Sequence, residues 1–101
     1  MDIKIQFEWD PVKAESNLRK HHISFETATR VFFDPFAVIE TDRFENGEYR
    51  WRTLGTVFGH MLVLVAHTTK NIEDGTEVVR IISARRATPD ERKNYEQNRS
   101  L

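Results

Sequence analysis

Apolar and polar residues alternate without a fault at the start of the chain. Ile3, Ile5, Phe7 and Trp9 are interleaved with Lys4, Gln6, Glu8 and Asp10, and a period of two predicts a half-buried strand. Asp10-Pro11 stops it and opens a helix over about Pro11 to His21, with Asp as N-cap and Pro at the first helical position. Val12, Ala14 and Leu18 are the chief apolar groups of that helix. Ser24 predicts the cap of a second helix, with Phe25, Ala28, Val31 and Phe32 at helical spacing. Asp34-Pro35 ends it, because the residue before a proline disfavours the helical region. A short β-prone run, Phe36 to Ile39, precedes the turn signal Asn46-Gly47. Strand-like stretches follow near Tyr49–Val57, Met61–Thr68 and Glu77–Arg85. Gly59-His60, with glycine in the first central position, predicts the turn between the first two. A polar loop with Asp74-Gly75 joins the last two. Thr88-Pro89-Asp90-Glu91 then forms a capping box. The helix it starts runs to about Arg99 and is polar nearly all round, with Tyr95 its main apolar member. Such a helix is weakly held by a core and suited to docking on a partner. The order β-α-α-β-β-β-β-α predicts an α+β fold, in which two N-terminal helices pack on one side of an antiparallel sheet and a helix closes the chain.

Composition narrows this picture. The 101 residues fit a single domain spanning 1–101. With no cysteine, disulfides, thiolate metal sites and cysteine nucleophiles are excluded. No apolar run approaches the ~20 residues of a membrane span, and the N-terminus lacks the apolar centre of a signal peptide. A soluble, cytoplasmic protein without membrane contact is expected. The formal net charge of −1 gives no overall basic excess, yet the total is unevenly divided. Residues 1–50 hold seven Lys/Arg and ten Asp/Glu, a balance of −3; residues 51–101 hold eight and six, a balance of +2. Bases gather at Arg80, Arg85, Arg86, Arg92 and Lys93, and again at Arg19-Lys20-His21-His22. Two basic patches on a near-neutral chain suit phosphate; at the helix end the macrodipole accounts for them equally well.

Strict alternation along the last strand puts Val79, Ile81, Ser83 and Arg85 on one face, and Val78, Arg80, Ile82, Ala84 and Arg86 on the other. A guanidinium among apolar neighbours needs a partner. Ion pairs with Glu8 or Asp10 meet that need, and so does a bidentate phosphate contact. For acid–base work near neutral pH the candidates are His67, at the end of an apolar strand, and His21 and His22, at the end of a helix. His60 falls in a turn. No His-x-x-x-His pair and no dense carboxylate cluster suggests a metal, and no glycine-rich phosphate loop is present, so no metal or other cofactor is expected.

Two ordered motifs resemble the BrnT family of toxins. The first is Phe7-Glu8-Trp9-Asp10 with Lys13, Asn17, Lys20-His21, Ile23-Ser24-Phe25-Glu26, Ala28 and Val31-Phe32. The second is Arg80-Ile81-Ile82-Ser83-Ala84-Arg85-Arg86-Ala87-Thr88 with Glu91-Arg92 and Tyr95. Arg52, Gly55 and Val65–Thr68 sit between them where the pattern has them, so the resemblance spans roughly residues 7 to 96. Two positions depart from it: His22 stands where glycine is usual after the Lys-His pair, and Thr27 where a glutamate commonly completes a capping box. The resemblance implies a RelE-like fold and the toxin of a type II toxin–antitoxin system. It implies a metal-independent endoribonuclease that cleaves RNA and is neutralised by a BrnA-like ribbon-helix-helix antitoxin, through which the complex contacts DNA. On this reading a groove of Lys20-His21, Arg52, His67, Arg80 and Arg85 binds RNA. His67 or His21 transfers protons, Glu8 orients a histidine or acts as base, and Lys20, Arg52, Arg80 and Arg86 hold phosphate, with Arg85 at the reacting group. The competing reading is a non-catalytic protein- or nucleic-acid-binding module, including an inactive relative that keeps only its partner surface. The C-terminal helix and the first strand are the expected docking surfaces.

Overall fold

The computed structural model describes residues 4–100. Strand β1 is Ile5–Glu8; the Ile3 end of the predicted alternation lies outside the described residues. Helix α1, Pro11–His21, starts where Asp10 accepts a hydrogen bond from the Val12 amide. His22 closes it in the left-handed conformation, φ 60°, with its amide bonded to Leu18 O. Helix α2, Phe25–Ala28, is one turn long and runs into a 3₁₀ helix over Thr29–Phe33. Ser24 caps α2 through the Thr27 amide, and its hydroxyl also meets Thr27 Oγ1 at 3.0 Å. Threonine thus supplies a side-chain partner where a longer glutamate completes the usual capping box. Four strands follow, β2 Val38–Glu45, β3 Glu48–Val57, β4 Met61–Asn71 and β5 Glu77–Arg86, and then helix α3, Pro89–Arg99.

The five strands form one sheet in the order β1-β5-β4-β3-β2. It is mixed rather than antiparallel, because β1 pairs parallel to β5, with Glu8 opposite Arg80. Residues 9–76, about two-thirds of the chain, form the long connection that a parallel pair requires. The helices do not share a side either. Val57, Val63, Val65, Val79, Ile81 and Ala84 face Ile23, Phe25, Ala28 and Val31 in the main core. Leu54, Leu62 and Leu64 point the other way and are covered by Tyr95 of α3.

Helix α3 is held more firmly than its polar sequence predicts. Tyr95 is 4% exposed, and its hydroxyl donates to Asp34 Oδ2 at 2.6 Å. The same carboxylate oxygen accepts from the Thr56 amide and hydroxyl, and Asp34 Oδ1 accepts from the Phe36 amide. Burial alone would raise the Asp34 pKa, but these donors, Tyr95 foremost, bring it below the ordinary carboxylate value. Gly55 makes room for this junction: a Cβ there would lie 3.0 Å from Val31 O and 3.3 Å from Asp34 Oδ2.

The β2–β3 and β3–β4 hairpins turn through paired left-handed residues, Asn46-Gly47 and Phe58-Gly59. The second turn is therefore one residue earlier than predicted. Phe58 takes the first central position at φ 54° and glycine the second, as in a type I′ turn. No helix among the described residues is long and apolar enough to cross a membrane.

Candidate active site

Two β-bulges determine which charged residues meet. In β5 the register moves between Ala66–Ser83 and His67–Ile81, leaving Ile82 as the extra residue. In β2 it moves between Thr41–Trp51 and Arg43–Arg50, leaving Asp42 extra. Both fall at the same level of the sheet. A bulge lets strict alternation slip by one residue, so Arg80 and Arg85 lie on the same face. They join Arg52, whose row is Arg52–Ala66–Ser83. This corrects the alternation read from sequence, which separates Arg80 from Arg85. Arg86, opposite Val63, belongs to the other face.

Helix α3 covers one end of the charged face and leaves the other open. At the open end, Lys13, Arg50, Arg80, Thr68 and the carboxylates Glu45 and Glu48 line a depression of about 140 Å³. They come from three parts of the fold. Helix α1 brings Lys13, the Asn46-Gly47 hairpin brings Glu45, Glu48 and Arg50, and the central strands bring Thr68 and Arg80. Glu8 lies beside Arg80, with Oε1 3.7 Å from Nη1; both side chains are about half exposed. Pairing at this distance in water contributes little, so both groups are available to a ligand. Two guanidinium forks and an ammonium group around one hollow can take a phosphodiester, and a neighbouring carboxylate can take a proton. Among the described residues no group of three or more His, Asp or Glu is arranged to hold a metal ion.

The other arginines of this face are committed elsewhere. Arg85 makes a bidentate pair with Glu91, at 2.8 and 3.0 Å. That hydrogen-bonded pairing raises the Arg85 pKa and lowers that of Glu91. Because Glu91 also accepts from the Thr88 amide and Thr88 from Glu91, Arg85 secures the capping box of α3. Arg52 donates to Glu40 at 3.0 Å; its Nε is buried without a partner. It borders a hollow beneath α3 with Glu40, Asp90 and Asn94.

His67 is on the opposite face, 3% exposed. Its Nε2 lies 2.7 Å from Thr53 Oγ1, its Nδ1 3.2 Å from Thr69 Oγ1, and its ring meets Phe32 edge-on. Burial pushes its pKa down to about 4, against a smaller opposing effect of the Thr68 backbone. It is a neutral core residue at pH 7, and the sheet separates it from Arg52, Arg80 and Arg85. The single groove expected from sequence is thus divided. His21 is half-buried at the end of α1 and Lys20 is exposed there. Lys20 continues the helical stripe of Lys13 and Asn17. Sequence reading passed over Lys13 and Arg50 as site residues. Lys13 stood in a recognised motif, and only the Asn46-Gly47 turn hinted that Arg50 folds back onto the sheet.

A sequence model of the family described as ribonuclease toxin, BrnT, of type II toxin-antitoxin system matches residues 9–91. The chain belongs to this family. Membership makes it a ribonuclease toxin of a type II system, with RNA as target and an antitoxin as partner. The fold is similar to the 1.1 Å crystal structure of the Brucella abortus ribonuclease toxin BrnT, with a TM-score of 0.65 and 21% identity. The match covers 84% of this chain and 97% of that one. A search of curated proteins gave no match.

Proposed function

We propose that the open sheet face is the ribonuclease site and that it cleaves RNA internally without a metal ion. The observation that carries this reading is the convergence of Lys13, Arg50 and Arg80 on one depression beside Glu8. In the proposed step Glu8 accepts the proton of the 2′-hydroxyl, whose oxygen attacks phosphorus. The bond to the 5′-oxygen breaks, and that oxygen takes a proton from Lys13. The products are a 2′,3′-cyclic phosphate and a 5′-hydroxyl end. Arg50 and Arg80 stabilise the charge that gathers on the non-bridging oxygens, the electrostatic role that usually contributes most. Arg52 and Lys20 flank the path of the strand, and Arg85 positions α3. A protonated His67 would face a large desolvation cost and His21 does not line the depression, so neither has a proton-transfer role in this scheme.

The resemblance supports three finer assignments: a RelE-like architecture, a ribbon-helix-helix antitoxin, and action in the cytoplasm. The test is cleavage of purified RNA in EDTA, with the ends of the products identified. Arg80→Ala and Lys13→Ala should each lower kcat/KM by ~10²-fold or more. Parent-like cleavage by both variants would overturn the assignment.

A further inference from the structure

Seven of the ten arginines have a carboxylate or aromatic partner. Arg19, Arg43, Arg52, Arg80 and Arg85 each face a carboxylate at 2.8 to 3.7 Å. Arg30 and Arg99 lie over the rings of Phe58 and Phe36, 4.8 and 5.2 Å from their centroids. Among the described residues, three guanidinium groups have neither kind of partner: Arg50, Arg86 and Arg92. Arg50 belongs to the depression already described. Arg86 and Arg92 border a second hollow of about 390 Å³, together with His60 and a floor of Met61, Leu62 and Ala87. Three elements build it: the Phe58-Gly59 turn, the end of β5, and the first turns of α3. His60 is turned by its Nδ1, 2.9 Å from Phe58 O, which leaves its Nε2 unengaged. Two acids at the start of α3 are engaged elsewhere, and Glu96, one turn after Arg92, makes no ion pair with it. Glu91 is held by Arg85, and Asp90 lines the hollow beneath α3.

We propose that Arg86, Arg92 and His60 form a second RNA-binding site, which holds a backbone phosphate away from the cleaved bond. The proposal rests on the ribonuclease reading of the open sheet face. Two unpaired guanidinium forks match phosphate oxygens. The apolar floor can carry the ribose or base, and the volume falls in the range of ligand pockets. Six residue steps along β5 separate Arg80 from Arg86, about 20 Å at ~3.3 Å per residue. The two residues lie on opposite faces of the sheet. A strand that reaches both must also round the sheet's end, and at ~3.4 Å per nucleotide it needs more than roughly six nucleotides. The site therefore distinguishes long RNA from short RNA, and adds affinity without touching the reacting phosphate.

The experiment is equilibrium binding of 2′-O-methyl oligonucleotides, which lack the attacking hydroxyl and stay intact. Parent, Arg86→Ala/Arg92→Ala and Arg86→Lys/Arg92→Lys proteins are compared, with thermal unfolding as a check that each is folded. A strand of about twelve nucleotides should bind the double-alanine protein ~10-fold more weakly, with a salt slope about 1.4 shallower, near 0.7 for each lost cation. The double-lysine protein should recover most of the affinity. A strand of about three nucleotides should bind parent and double-alanine proteins alike. Unchanged binding of the long strand, or equal losses for both strands, would overturn the proposal. So would a loss confined to antitoxin binding, which would make the hollow a protein contact. If the parent fails to cleave RNA while the long strand still depends on Arg86 and Arg92, the cleavage reading fails and this site stands.

Discussion

His67 shows how far one residue's surroundings can redirect its chemistry. At the end of an apolar strand it reads as an acid–base group; in the fold it is a buried imidazole between two threonines. Its pKa falls from 6.5 to about 4, so the unfolded chain takes up a proton before the folded one does. Stability must therefore fall as pH drops from about 6.5 toward 4, by up to ~3 kcal/mol from this group alone. Urea unfolding at several pH values should show that loss, and His67→Gln should flatten the profile across this window. An unchanged profile in the variant would show that other groups set it. Sequence alone offers no sign of this burial, because the residues that enclose His67, Thr53 and Phe32 among them, are distant in the chain. Asn17 is the opposite case, a motif residue whose role becomes plain in three dimensions. Its amide donates to Ala84 O and Ile23 O and accepts from the Ala84 amide, on a stretch of β5 beyond the reach of β1. One side chain thus stands in for a neighbouring strand. Asn17→Ala should lower the free energy of unfolding by about 2–4 kcal/mol, read as a lower urea midpoint at constant m-value, since it strands buried backbone groups.

The elements were legible in proportion to how local their signals are. Asp10-Pro11, Ser24, Asn46-Gly47 and the Thr88–Glu91 box act over two to four residues, and each one ends or begins an element where expected. The bulges are different. The β5 sequence pairs apolar residues at both Val78-Val79 and Ile81-Ile82, yet only the second pair holds a bulge, so nothing local says which residue is extra. Pairing of β1 with β5 is beyond local reading altogether, because a strand carries no mark of its neighbour. For the same reason the candidate site was half visible: Glu8 and Arg80 were identified, but their companions Lys13 and Arg50 come from a helix flank and a hairpin. The junction of the 3₁₀ helix, β3 and α3 gives an element-scale test. Gly55→Ala would push on Val31 and Asp34 and should cost about 1–3 kcal/mol in chemical denaturation. Tyr95→Phe removes a hydrogen bond to a carboxylate and should cost a similar ~1.5–3 kcal/mol. Because these residues meet at Asp34, the double variant should lose less than the two separate losses combined.

For the whole molecule, a net charge of −1 does not describe what RNA meets. Carboxylates lie within 4 Å of five of the ten arginines, and the cations available at the open face are few and close together. Binding of a short oligonucleotide there should have a salt slope near −2, about −0.7 for each of Lys13, Arg50 and Arg80. A slope near zero would exclude phosphate contact by these groups. The parallel pair of β1 and β5 has a further consequence, in time rather than space. Glu8 and Arg80 are neighbours in the sheet but lie near opposite ends of the chain, and contacts of such long separation form late. During synthesis the first strand must wait for the last before the depression can close around its cations. A chain still in synthesis therefore lacks the proposed site until β5 has emerged.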